Sequence, residues 1–221
     1  MLISRSLIFI HHARTGGSSV QQYLREVLPD TYYPYADTHM REGQKAWVMH
    51  QGLEVAWQYA RHLQLDPDRL PALVVIRNPY SLALSGYLYL KQRWGERVTD
   101  LEASFAGYLE NLWDKTPPEK KQGWANSRYG QYSDYLLRNG EAPSNLSIAR
   151  FETLAADVST FLTEQLGVTT DRPLPHVNAT RHEHFSSYYG AAEEALVYRM
   201  WKNAFDAGLY RRYEGLEPAA P

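Results

Sequence analysis

With 221 residues, no cysteine and a net charge of −2, the chain excludes disulfide and thiolate chemistry and argues against a protein that coats nucleic acid through bulk positive charge. A hydrophobic fraction of 44% and a charged fraction of 22% are those of an ordinary globular protein, and the length suits one substantial core, so a single domain over residues 1–221 is expected. The apolar run near the N-terminus is too short for a membrane span or a signal peptide, which predicts a cytoplasmic protein with no membrane span.

In chain order, Leu7-Ile8-Phe9-Ile10 reads as a short buried strand. Val20, Tyr23, Leu24, Val27 and Leu28 recur at helical spacing, which predicts a helix from near Ser18, stopped by Pro29. Thr31 to Tyr35 reads as a short extended segment, and residues 37–44 as polar loop. Ala46-Trp47-Val48-Met49 reads as a second core strand that delivers His50 at its C-terminal end. Gly52 follows, then a helix from Leu53 to about Leu63. Leu73-Val74-Val75-Ile76 is the clearest strand. After it, Asn78 suits an N-cap and Pro79 a first helical position.

Thr99-Asp100-Leu101-Glu102 is a capping box opening a helix to about Trp113. Residues 115–123 form a basic loop with prolines. A tyrosine-rich helix, about Arg128 to Asn139, ends at Gly140. Leu146-Ser147-Ile148-Ala149 is a further strand. The helix from Thr153 to Leu166 buries Leu154, Val158, Phe161 and Leu162 and closes at Gly167. Residues 169–187 read as irregular loop, and a last helix spans roughly Ala191 to Phe205. Strands alternating with helices predict an α/β fold with a central parallel sheet flanked by helices on both faces. Ligands of such sheets lie beyond the C-terminal strand ends, where His11 to Ser19, His50, Arg77 and Arg150 to Glu152 all fall.

The loop between the first strand and helix is built to hold an oxyanion. Gly16 and Gly17 let the backbone turn and approach a ligand closely. The following helix offers unsatisfied N–H groups and the positive end of its dipole. Arg14 adds a charged fork of donors, and Thr15, Ser18 and Ser19 carry hydroxyl protons. The loop is not a Walker A sequence, because its basic residue precedes the glycines and no lysine follows them.

Phe9-Ile10-His11-His12-Ala13-Arg14-Thr15-Gly16-Gly17-Ser18-Ser19 resembles the 5′-phosphosulfate loop of sulfotransferases that use 3′-phosphoadenosine-5′-phosphosulfate (PAPS), in the carbohydrate-type branch. Two departures stand out: Ala13 replaces the family proline and Arg14 replaces the family lysine. Arg77-Asn78-Pro79, with Ser85 eight residues after Arg77, resembles the family's 3′-phosphate motif, although Leu82 stands where many relatives have a second arginine. The resemblance implies a P-loop-like α/β fold. It also implies PAPS as cofactor, adenosine 3′,5′-bisphosphate as product, and no catalytic metal. Arg14, Thr15, Gly16, Gly17, Ser18, Ser19, Arg77 and Ser85 are the implied nucleotide contacts. The late segment Leu174 to Arg181 is similar to a family loop that closes over nucleotide or acceptor, so Asn178 and Arg181 join them.

The acceptor hydroxyl must lose a proton, and histidine titrates nearest neutral pH. His50 is the first choice for this base, because Met49-His50-Gln51-Gly52 is similar to the base segment of uronosyl 2-O-sulfotransferases. His12 and Glu152 stand behind it, and His11 is read as shaping the loop. Arg150-Phe151-Glu152-Thr153-Leu154 resembles a late family segment and is read as structural support. The sequons at Asn145 and Asn178 are read as chance, and His182-Glu183-His184 as a solvated loop. The implied reaction is in-line transfer of a sulfuryl group to a hydroxyl, with Arg14 stabilising charge on the leaving phosphate. The expected acceptor is a carbohydrate, with a lipid or small metabolite next; the 17 tyrosines and 6 tryptophans leave aromatic side chains for such a cleft. A Mg²⁺-dependent phosphotransferase and a nucleotide-binding protein without transferase activity are the alternatives.

Overall fold

A computed structural model describes residues 1–30, 32, 50–94, 104–114, 132–177 and 183–213. The chain divides into two compact units, one of Met1–Ile76 with Tyr132–Asn178 and one of Arg77–Gln131 with Ala179–Pro221.

The first unit carries a four-stranded sheet in the order β1-β2-β3-β4: β1 (Leu2–Ile3), β2 (Ile8–Ile10), β3 (Ala72–Ile76) and β4 (Leu146–Arg150). β2, β3 and β4 are parallel, with Phe9 beside Leu73 and Val74 beside Ile148. The sheet is nevertheless mixed, because β1 pairs antiparallel with β2. This corrects the wholly parallel sheet expected from the sequence. The cause is a tight turn: Ser4 N–H donates to Leu7 O at 3.0 Å. The Ser4 hydroxyl in turn accepts from the N–H of Ser6 and of Leu7. The expected strand at residues 46–49 lies outside the described residues.

Helices cover the sheet. α1 (Gly17–Val27) follows β2, and its C-terminal neighbour Leu28 is already extended, one residue before Pro29. α2 (Leu53–His62) precedes β3. α5 (Tyr132–Leu136) precedes β4, and α6 (Leu154–Leu166) follows it after a 3-10 turn at Phe151–Thr153. Val20, Tyr23 and Leu24 of α1 meet Val158, Phe161 and Leu162 of α6 over Phe9, Leu73 and Val75. Strand alternation turns Ile8, Ile10, Val74 and Ile76 the other way, and they are equally buried. α2 packs on β2 and α5 on β3, and neither enters the first cluster, so they cover this second face. Asn145 ties the start of β4 to the turn before β3, its amide donating to the carbonyls of Pro67 and Leu70 at 2.8 and 2.5 Å. Gly167 closes α6 in the left-handed region at φ 66°, where the sequence placed a C-terminal stop.

The second unit is helical: α3 (Pro79–Trp94), α4 (Phe105–Asp114), α7 (Ala191–Met200) and α8 (Lys202–Asp206), with a 3-10 turn at Phe185–Tyr188. The Asn78 cap is present, its Oδ1 accepting from Tyr80 N–H at 2.9 Å. The single last helix expected over residues 191–205 is instead two helices, broken at buried Trp201 with φ −113°. Trp201 O accepts from Ala204 and Phe205 N–H and so starts the second helix. The capping box at residues 99–102 lies outside the described residues. Among the described residues no helix is long and apolar enough to cross a membrane.

Candidate functional site

The loop from His11 to Gly16 joins β2 to α1. Gly16 is left-handed at φ 82°, and a Cβ there would meet Leu154 Cδ2 at 2.9 Å and the Phe151 ring at 3.2 Å. Phe151, from the Arg-Phe-Glu segment, therefore supports the loop from below. Arg14 is also left-handed, at φ 63°, a conformation that costs a branched or bulky side chain. Gly17 opens α1 and lies against the His11 ring with no space for a Cβ. The N-cap position makes no side-chain hydrogen bond, and Gly16 O takes the N–H of Ser19 and Val20. The N–H groups of Gly17 and Ser18 therefore have no partner within the helix.

The three hydroxyls of the loop are placed differently. Thr15 is fully buried and donates to His12 O at 2.9 Å, so its proton braces the loop. Ser19 is buried, and its Oγ accepts from Val177 N–H at 3.0 Å, which leaves its own proton to donate. Ser18 is half-buried in the first turn of α1.

His50 sits beside this loop in the same unit. Its Nδ1 lies 3.1 Å from His11 O. A carbonyl only accepts, so Nδ1 carries the proton and the neutral ring keeps its lone pair on Nε2. The His11 ring stands edge-on to it, 4.5 Å between centroids. Burial pushes the His50 pKa below its ordinary value against the opposing pull of the His11 hydrogen bond, and Arg14 repels the protonated form further. His11 is held well below its ordinary value, burial first, and its Nδ1 has no hydrogen-bond partner among the described residues. The backbone of His50 is fixed as well: Tyr135 Oη donates to His50 O at 2.8 Å. His12 is fully buried, with its ring 4.3 Å from Tyr135 and 5.5 Å from Tyr132, so it lines the support of the site and not its surface. Glu152 is exposed in the 3-10 turn after β4.

In the second unit Arg77 begins where β3 ends and is 7% exposed. Its Nε donates to Ser81 Oγ at 2.8 Å, one turn along α3. Ser85, one turn further, is buried. Asn178 and Arg181 lie outside the described residues. Ser81 and Tyr135 are the two polar partners that sequence reasoning did not assign; the first was visible as an i, i+4 neighbour of Arg77, the second only as one of many tyrosines.

Among the described residues no three His, Asp or Glu side chains are grouped to hold a metal ion. A shallow groove between β4 and α6, lined by Leu73, Ile148, Phe161 and Gln165 among others, contains none of the residues above. No family model matches the chain, and no match was found among curated proteins.

Proposed function

We propose that this protein is a PAPS-dependent sulfotransferase of P-loop-like fold, transferring a sulfuryl group to a hydroxyl of an acceptor, a carbohydrate first. The observation that carries the reading is the neutral His50, its Nε2 lone pair left available beside a loop with a left-handed Arg14 and first-turn N–H groups that have no partner within the helix. Such a ring is ready to accept the proton of an attacking hydroxyl. The Gly17 and Ser18 N–H groups, Ser19 and Arg14 would hold the 5′-phosphosulfate and the charge that builds on its leaving phosphate. Arg77 and Ser85 are assigned to the 3′-phosphate by their resemblance to the family motif, with the Arg77 guanidinium oriented by Ser81.

Titration of the protein with adenosine 3′,5′-bisphosphate in a calorimeter, against ADP with Mg²⁺, tests the cofactor. Metal-independent binding of the bisphosphate that weakens in Arg77→Ala is expected. A preference for ADP with Mg²⁺ would favour a phosphotransferase. Radiolabelled PAPS with a panel of oligosaccharides then tests transfer, which is expected to vanish in Arg14→Ala and His50→Ala. Bisphosphate binding with no transfer to any hydroxyl acceptor would leave a nucleotide-binding protein.

A further inference from the structure

The residues that fix His50 come from a part of the sequence far from it, and their arrangement is specific. α5 contacts the three-residue segment His50-Gln51-Gly52 at both ends. Tyr135 Oη holds the His50 carbonyl. At the other end, a Cβ on Gly52 would fall 2.3 Å from the carbonyl oxygen of Asp134, so only glycine lets the α5 backbone come this close. Tyr135 is itself packed in: it is 3% exposed and its ring lies on the buried His12 ring. Burial also raises its phenol pKa above the ordinary value, so the hydroxyl stays a donor. The carbonyl of His50 is thereby anchored to α5, while its ring is anchored to His11 O.

We infer that Tyr135 is a positioning residue, which through the His50 carbonyl holds the imidazole in the Nδ1–H tautomer with Nε2 toward the acceptor. As a role in catalysis this rests on the proposed sulfuryl transfer; as a statement about the His50 ring it does not. One bond fixes the main chain of His50 and the other its Nδ1, so the ring keeps its hydrogen bond to His11 O only while the segment stays in place. Removal of the main-chain bond lets the segment move away from His11 O, so that the Nδ1 bond lengthens and water reaches the ring. The charged groups that act on the His50 ring are His11, Arg14 and the amino group of Met1, and the titratable groups of α5 packed against its segment are Tyr135 and Asp134. Tyr135→Phe removes the hydroxyl on the His50 carbonyl and leaves every one of the charged groups in place.

The test is ¹⁵N NMR of histidine-labelled protein, with the His50 ring signals assigned by their loss in His50→Gln. In the wild type the signals are expected to report an Nδ1–H tautomer that protonates below the ordinary histidine range. Tyr135→Phe removes one oxygen and keeps the ring on His12. It is expected to mix the two tautomers and move the protonation midpoint up toward the ordinary value. Tyr132→Phe, a neighbouring loss of a buried hydroxyl on the same helix, is expected to leave both unchanged. Identical His50 signals in Tyr135→Phe and wild type would overturn the inference. So would an equal shift in Tyr132→Phe, which would mean general loosening of α5. With transfer established, kcat in Tyr135→Phe should fall roughly 5- to 10-fold, with KM for PAPS within about twofold of wild type. An NMR change without transfer activity would retain the positioning and reject only the reaction.

Discussion

Gly17 and His11 leave no room for one carbon atom between them: a Cβ on Gly17 would lie 2.1 Å from His11 Cδ2 and 2.5 Å from Nε2. Gly17→Ala must push a fully packed ring aside, and His11 is the ring against which His50 stands. The expected cost is about 1–3 kcal/mol in urea unfolding, together with loss of nucleotide-dependent activity. Gly140 provides the contrast. It has φ 85° but nothing within 4 Å of its missing Cβ. Gly140→Ala should cost only the left-handed backbone strain, about 1–2 kcal/mol, and leave activity intact.

Ser81 engages Arg77 Nε, which fixes the rotation of the guanidinium. Ser81→Ala is expected to weaken adenosine 3′,5′-bisphosphate binding by roughly 5- to 10-fold without unfolding α3. Arg77→Lys should weaken it more, because an ammonium has no fork with which to hold a phosphate in two places. Calorimetric affinities of both variants check this, and an unchanged affinity in Ser81→Ala would remove Ser81 from the nucleotide hand.

His11 and His50 both have pKa values below the ordinary histidine value, chiefly because burial disfavours their charged forms. The unfolded chain therefore binds more protons than the native one in the window just below the unfolded value of about 6.5. Stability should be complete above that pH and fall as pH drops through it toward the native values. His50→Gln should reduce the slope of urea midpoint against pH between about 7 and 5; an unchanged slope would mean that His50 is not desolvated in the native state.

Glu194 gathers the second unit around Tyr80. Its Oε1 accepts from Tyr80 Oη at 2.6 Å, and Arg212 Nε and Nη2 reach its two oxygens at 3.1 Å each. Tyr80 is 1% exposed, and burial followed by this carboxylate holds its phenol well above its ordinary pKa. Glu194→Ala strands a buried hydroxyl and should cost about 1–3 kcal/mol in thermal or urea unfolding. The Arg212 side chain is 40% exposed and returns to water, so it adds little to that loss. Tyr80→Phe in the Glu194→Ala background should cost less than in the wild type, because the stranded group is then gone.

Local signals in the sequence located much of this molecule. Branched and aromatic runs located β2, β3 and β4, and the 3.6-residue spacing of Val20, Tyr23 and Leu24 located α1. Asn78 and Gly167 stand at the helix ends that their chemistry suits. β1 was not legible, because two residues show no period, and its pairing depends on the Ser4 turn. The break at the buried Trp201 was not legible either, since no Gly or Pro marks it. In the candidate site, the glycines and Arg14 were visible as chemistry, but the use of Thr15 as an internal brace was not. The bonds from Tyr135 to His50 and from Val177 to Ser19 join residues 85 and 158 positions apart, and no local pattern records such partners.

β4 has no neighbouring strand beyond it among the described residues. Its residues Ser147 and Ala149 bond toward β3, so the outward N–H groups are those of Leu146, Ile148 and Arg150. Two of the three are already engaged: Leu146 N–H donates to Pro143 O, and Arg150 N–H to Asp157 Oδ2 at 2.7 Å. Only Ile148 offers an outward N–H, and a single residue is too short a template for an incoming strand from another molecule. Asp157, on α6, thus takes the place of a neighbouring strand's carbonyl at the C-terminal end of β4.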